Sequence, residues 1–184
     1  WSVTWRFAMA TPAMFALERE KLFLTHWQVV GHESDAPNPG DWLTFDILGE
    51  RAVVMRGQDG ILRAFHNLCT HRGTLLATEK CGRAKSFTCP YHGWTYGSDG
   101  TLVSQNARTG YHASYNAGGA YNLRQVPRLE QYRGFWFLNM NPKAVRLEKY
   151  LAGTREWIDL IVDQADGGVE VTPGDQEFRV SCNW

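Results

Sequence analysis

The chain has 184 residues, with 19 Lys and Arg set against 19 Asp and Glu, so its formal net charge is zero. A neutral chain carries no electrostatic footprint for nucleic acid or an anionic membrane surface, and no apolar run reaches the ~20 residues that span a bilayer. A chain of this length buries roughly 70% of its unfolded surface, enough for one domain and part of another; no signal peptide is visible at its start, and cytoplasm is the default location.

Thr11-Pro12 reads as an N-cap followed by proline at the first helical position, and Met14, Phe15, Leu17, Leu22 and Phe23 among charged residues predict a helix to about His26. From Trp27 the texture changes to short runs bounded by turns. These predict strands over Gln28–His32, Trp42–Asp46, Ala52–Arg56 and Ile61–His66, with Gln58-Asp59-Gly60 as a hairpin turn. Further strands are expected over Ser86–Cys89, Thr95–Tyr96, Thr101–Val103, Leu123–Pro127 and Gly134–Met140. Many short strands at this spacing predict a mostly β fold, an antiparallel β-sandwich or barrel with flanking helices. Arg146 to about Ala165 returns to helical spacing, with Leu147, Tyr150, Leu151, Trp157, Ile158 and Ile161 as an apolar stripe. After Gly167-Gly168, strands are expected over Val169–Val171 and Glu177–Cys182, joined by a Pro173-Gly174-Asp175 turn.

The chemistry sits in two short segments. Cys69-Thr70-His71-Arg72-Gly73 and Cys89-Pro90-Tyr91-His92-Gly93-Trp94 each pair one thiol with one imidazole, and seventeen residues separate His71 from Cys89. Two such loops fit a [2Fe-2S] rhomb clamped from either side, with Cys69 and Cys89 on one iron and His71 and His92 on the other. Four protein ligands saturate both irons, so the site moves electrons and does not bind substrate. The alternative is a structural zinc, which also takes two Cys and two His. Zinc pairs are usually segregated by type, whereas these alternate. Replacing two thiolates by neutral imidazoles removes negative charge, which raises the potential from about −400 mV to between about −150 and +300 mV.

These loops resemble Rieske domains, and their surroundings resemble the N-terminal domain of Rieske non-haem iron oxygenase α subunits. Four pieces carry the likeness: the Leu17–Phe23 helix leading to Trp27-Gln28-Val29-Val30-Gly31-His32, the Pro39-Gly40-Asp41 turn, Asn67–Gly73 and Phe87–Trp94. Respiratory Rieske proteins carry two further Cys that bridge the loops, at the positions of Thr74 and Tyr91, and a Ser at the position of Trp94. Without that donor the potential is expected at the low end of the Rieske window. The resemblance implies residues 1–27 as an N-terminal helical arm, 28–145 as the Rieske [2Fe-2S] domain, and 146–184 as a linker helix and the first strands of a truncated α+β catalytic domain. An Asn-Trp pair such as Asn183-Trp184 opens that domain in the family. The mononuclear Fe(II), with its two His and one carboxylate, is therefore expected downstream, with no catalytic residue in this chain.

The family further implies a ferredoxin or reductase as electron donor, and a small organic substrate bound by the missing domain. It also implies assembly as a trimer or with a β subunit. A stand-alone Rieske ferredoxin is the second reading, but such carriers are shorter and lack the leading helix and trailing segment. Arg72 is expected to balance the extra electron, pair with a partner carboxylate or stabilise its loop; Trp94 and Tyr96 are expected to pack on the loops and shield the cluster, with Tyr96 as a donor to it. Cys81 reads as a packing or turn residue, with an oxidation-sensitive thiol as the lesser alternative, and Cys182 as a buried small hydrophobe. His26, His32, His66 and His112 read as surface or satisfied core histidines.

Overall fold

The computed structural model describes residues 11–106, 110–112, 114–172 and 174. Helix α1 (Pro12–Glu18) starts as its sequence predicts: the Thr11 hydroxyl accepts from the Met14 amide at 3.2 Å, and Pro12 fills the first turn, where an amide donor has no helical partner. The helix continues as a wider π turn over Arg19–Phe23 rather than as α-helix to His26. Arg19 anchors that turn, meeting Glu50 at 2.5 Å and donating to Leu48 O at 3.3 Å.

Strands β2 (Asp41–Ile47) and β3 (Glu50–Arg56) are joined by Leu48-Gly49, both at positive φ, 52° and 88°. Such a two-residue turn matches the twist of the strands it joins. The hairpin of β9 (Arg128–Tyr132) and β10 (Phe135–Asn139) repeats the device with Arg133-Gly134 at 51° and 83°. One sheet has the order β1-β10-β9, with β1 spanning Gln28–His32. A second has the order β4-β3-β2-β5, with β4 at Leu62–His66 and β5 at Cys81–Arg83. A third holds β6 (Ser86–Thr88), β7 (Thr95–Gly97) and β8 (Leu102–Ser104). Among the described residues every pairing is antiparallel and no barrel closes, so the mostly β expectation holds.

Strand β3 faces two cores. Val53 and Met55 point into a cluster with Trp42, Phe65, Cys69, Cys89, Trp94 and Tyr96, while Ala52 and Val54 point into another with Leu43, Ala64, Trp136 and Leu138. Burial on both faces explains why this strand reads as a continuous apolar run. The first of these cores lies directly beneath the two Cys-His loops.

Several expectations are corrected. Leu123–Pro127 is no strand: it makes a single bridge, Phe65 to Gln125, while the Leu123 amide donates to Gly100 O and the Val126 amide to Ala64 O. β5 and β9 were not expected, because neither alternates apolar with polar residues. The single helix expected from Arg146 is two, α2 (Leu147–Leu151) and α3 (Thr154–Val162), broken where Ala152 turns to φ 44°. Its stripe is only partly a core face: Leu147 and Leu151 are buried, whereas Trp157 is 69% exposed. Val169–Val171 forms no strand. Glu177–Cys182, Pro173 and Asp175 lie outside the described residues. No described helix is long and apolar enough to cross a membrane.

Candidate metal centre

The first loop follows β4 and the second connects β6 to β7. Although one reads Cys-x-His and the other Cys-x-x-His, their backbones close alike. The Gly73 amide donates to Cys69 O at 2.8 Å and the Gly93 amide to Cys89 O at 3.0 Å; the Cys69 amide donates to Thr74 O at 2.8 Å and the Cys89 amide to Trp94 O at 2.7 Å. Each loop reverses on a glycine at positive φ, 70° at Gly73 and 69° at Gly93, where a side chain would be strained. Asn67, buried just before the first loop, clips it down: its side chain donates to Ala77 O at 2.7 Å and accepts from the Ala77 amide at 2.9 Å.

This architecture brings four donors together. Cys69 and Cys89 are 3% and 2% exposed, both free thiols in one core cluster. The His71 and His92 rings lie 4.7 Å apart, 68° from coplanar. Each turns Nδ1 into the protein, and neither Nδ1 has a hydrogen-bond partner. A buried nitrogen left unpaired is costly unless something binds it. Two unpaired nitrogens and two buried thiols, one of each on either loop, are the donor set that a two-iron, two-sulfide rhomb takes. A rhomb needs only two protein donors at each metal, so one Cys-His pair from each of two loops suffices to hold it. Burial above all, then His71 and Arg72, lowers the His92 pKa, which favours the neutral ring with a free lone pair.

The surroundings are packed and largely apolar. Trp94 stacks on His71, centroids 4.7 Å apart and planes 9° from parallel. The Tyr96 hydroxyl lies 3.2 Å from Cys69 Sγ and accepts from the Thr70 amide at 3.1 Å. Tyr91 leans on His92 from the solvent side, centroids 3.8 Å apart. Arg72 is exposed and makes no ion pair among the described residues, so the expected loop-stabilising bridge is absent. Asn67 and Thr70 lie within the Asn67–Gly73 piece that carries the family likeness, but their roles emerge only in the structure: Asn67 clips the loop to Ala77, and Thr70 bonds the Tyr96 hydroxyl and Tyr121 O.

The remaining candidates are accounted for. His32 is buried and its ring nitrogen accepts from the Ser34 amide at 3.2 Å; His26 packs edge-on to Tyr150, and His112 bonds Ser114 Oγ at 2.7 Å. His66 is half-buried on β4. Cys81, read as a packing or turn residue, is instead an exposed thiol on the edge strand β5, and Cys182 lies outside the described residues.

Comparison with known proteins gives a consistent picture. The family profile described as the Rieske [2Fe-2S] domain matches residues 26–130. The large subunit of 2-halobenzoate 1,2-dioxygenase from Burkholderia cepacia is 34% identical over 174 residues, covering 94% of this chain and 37% of that protein. Naphthalene 1,2-dioxygenase with indole bound in its active site superposes with a TM-score of 0.82 at 32% identity, over 91% of this chain and 38% of the other. A quaternary ammonium Rieske monooxygenase in complex with L-carnitine superposes at 0.78 with 32% identity, over 86% and 44% of the two chains. The chain thus spans little more than a third of the length of the curated relatives it matches.

Proposed function

Because the chain belongs to the Rieske [2Fe-2S] domain family, we propose that Cys69, His71, Cys89 and His92 hold a [2Fe-2S] cluster, the thiolates on one iron and the imidazoles on the other. The observation that carries this is the pair of buried, unpaired Nδ1 atoms and the pair of buried thiols, one of each on two loops closed by the same hydrogen bonds. When bound, the cluster supplies one-electron transfer at a potential set by its mixed ligands. The protein's part is to orient and to exclude water. Trp94 fixes the plane of His71, Tyr96 offers its hydroxyl to Cys69 Sγ, and Asn67 holds the first loop against the core. Tyr91 and Arg72 stay at the surface, where a partner meets the cluster edge.

The wider setting we propose is a ring-hydroxylating or demethylating oxygenase α subunit. Residues 28–145 form the electron-transfer domain, 1–27 an arm, and 146–184 the passage into a catalytic domain. A ferredoxin or reductase donates electrons, which pass to a mononuclear Fe(II) that activates O2 on a small organic substrate, in an oligomer of the cytoplasm. Likeness to dioxygenase large subunits over 94% of the chain, beyond the Rieske domain alone, favours this over a stand-alone ferredoxin. Anaerobically purified protein should carry two irons and two acid-labile sulfides per chain, with a rhombic Rieske EPR signal on reduction. Stoichiometric zinc with no visible chromophore overturns the reading.

A further inference from the structure

Five aromatic rings run in contact from a proposed cluster ligand to the protein surface. Trp94 stacks on His71 at 4.7 Å. Tyr121 and Tyr115 meet Trp94 edge-on at 5.7 and 6.2 Å and stack on each other at 4.4 Å, 8° from parallel. Tyr111 lies 4.4 Å from Tyr115, and the two line a surface hollow of about 420 Å³. We infer that Trp94, Tyr121, Tyr115 and Tyr111 form a hole-transfer path, through which the reduced cluster discharges one-electron oxidants that reach the Tyr111 surface. This rests on the Rieske reading of Cys69, His71, Cys89 and His92.

The column contains three phenols and one indole, all oxidisable, where Phe or Leu would fill the same space. Electron transfer slows steeply with distance, so a series of ring contacts outruns one long step. Burial, then the Tyr121 hydroxyl, pushes Tyr115 up to about 12, so its phenol is uncharged at rest. The electrons balance. An oxidant of the peroxyl-radical or Ru(III) class takes one electron from Tyr111, whose phenolic proton passes to water. Tyr115, Tyr121 and Trp94 relay the vacancy inward, Trp94 takes an electron from the reduced cluster, and Tyr111 regains a proton. A Rieske cluster is a far weaker oxidant than an aromatic radical, so that last step runs downhill.

The test tethers a ruthenium tris(bipyridine) dye to Ala117→Cys, on the rim of the hollow, in a Cys81→Ser/Cys182→Ser background of cluster-loaded, anaerobically reduced protein. After a flash with an external quencher, the visible spectrum should return to that of the oxidised cluster. Tyr115→Phe keeps the ring but removes the oxidisable phenol; it should slow cluster oxidation at least tenfold and leave a persistent tyrosyl signal, and Tyr115→Trp should restore the rate. Where Tyr115→Phe lowers cluster loading, Tyr111→Phe gives the same tenfold comparison from the rim. Oxidation at the parent rate in the Phe variant makes the column mere packing and overturns the inference. A parent protein with no Rieske spectrum before any flash overturns the cluster reading instead.

Discussion

The Tyr96 hydroxyl lies 3.2 Å from Cys69 Sγ and 2.9 Å from Thr70 Oγ1, with one proton for both. Thr70 directs its own hydroxyl proton to Tyr121 O at 2.7 Å, so toward Tyr96 it only accepts. Burial first, then the Cys69 sulfur, holds Tyr96 well above the usual phenol range, which keeps it a donor. Sulfur and oxygen therefore compete for one proton.

Donation to a ligand sulfur stabilises the more negative, reduced state and raises the potential. Tyr96→Phe should lower it, and Thr70→Val, which removes the competitor, should raise it; Thr70→Ser should leave it unchanged. A redox-dependent part of about 1 kcal/mol in such a bond corresponds to roughly 40 mV. Protein-film voltammetry reads all three variants. The competition is refuted if Thr70→Val shifts the potential in the same direction as Tyr96→Phe.

The cluster loops were legible because their chemistry is local: ligand, spacer and glycine lie within six residues of one another. Their matched hydrogen bonds were not, since Cys-x-His and Cys-x-x-His look different until Gly73 and Gly93 are seen to bond their cysteines alike. β9 was missed because Arg128, Glu130 and Gln131 carry no apolar alternation, and because Arg133-Gly134 lacks the Asn or Asp that usually announces a two-residue hairpin turn. The break between α2 and α3 falls on Ala152, the residue type with the highest helix propensity, so no signal at that residue announces it. Tyr96 stands 27 residues from Cys69 and on a different sheet from β4, so only the packing of the two sheets brings it to the sulfur.

Ligand exchange tests the metal centre directly. His71→Cys or His92→Cys places an anion where an unpaired Nδ1 now points, so an assembled cluster should fall toward the all-Cys range near −400 mV. An unchanged potential removes that histidine from the ligand set. Cys81→Ser, on the exposed edge of β5, should leave the cluster spectrum intact.

Acid should loosen the turn at Asp41. Its carboxylate takes Arg83 Nε at 2.5 Å and both Asn38 nitrogens, and Arg83 above all holds its pKa below the usual range. A folded value below the unfolded one, near 4, stabilises above that pH, and the contribution is lost as pH falls through the folded value. Asp59, held at about 2 chiefly by Arg63, should follow at lower pH. Thermal midpoints should decline from pH 5 to pH 3, and Asp41→Asn should flatten part of that decline. Equal slopes in both proteins would remove Asp41 from the account. A carbon-13 titration of Asp59 should show its midpoint rising in Arg63→Gln.

Gly73 and Gly100 share a positive φ, 70° and 86°, but differ in what surrounds them. A Cβ at Gly73 meets nothing within 4 Å, whereas one at Gly100 falls 2.4 Å from Phe65 Cε1. Phe65 is fully buried in the cluster that holds Cys69 and Cys89, so it cannot swing aside as a surface side chain does. Left-handed strain alone costs roughly 1–2 kcal/mol, and forcing volume into a packed core adds about 1–3 kcal/mol. Gly73→Ala should therefore lower the melting temperature by a few degrees and keep its cluster. Gly100→Ala should lower it at least twice as far and reduce iron content, because Phe65 is pushed against the floor of the cluster loops. Phe65→Leu combined with Gly100→Ala removes the ring edge that the methyl strikes, so the pair should be less destabilised than the sum of the single changes. Strict additivity, or equal damage at both glycines, would show that backbone strain rather than the Phe65 contact sets the cost.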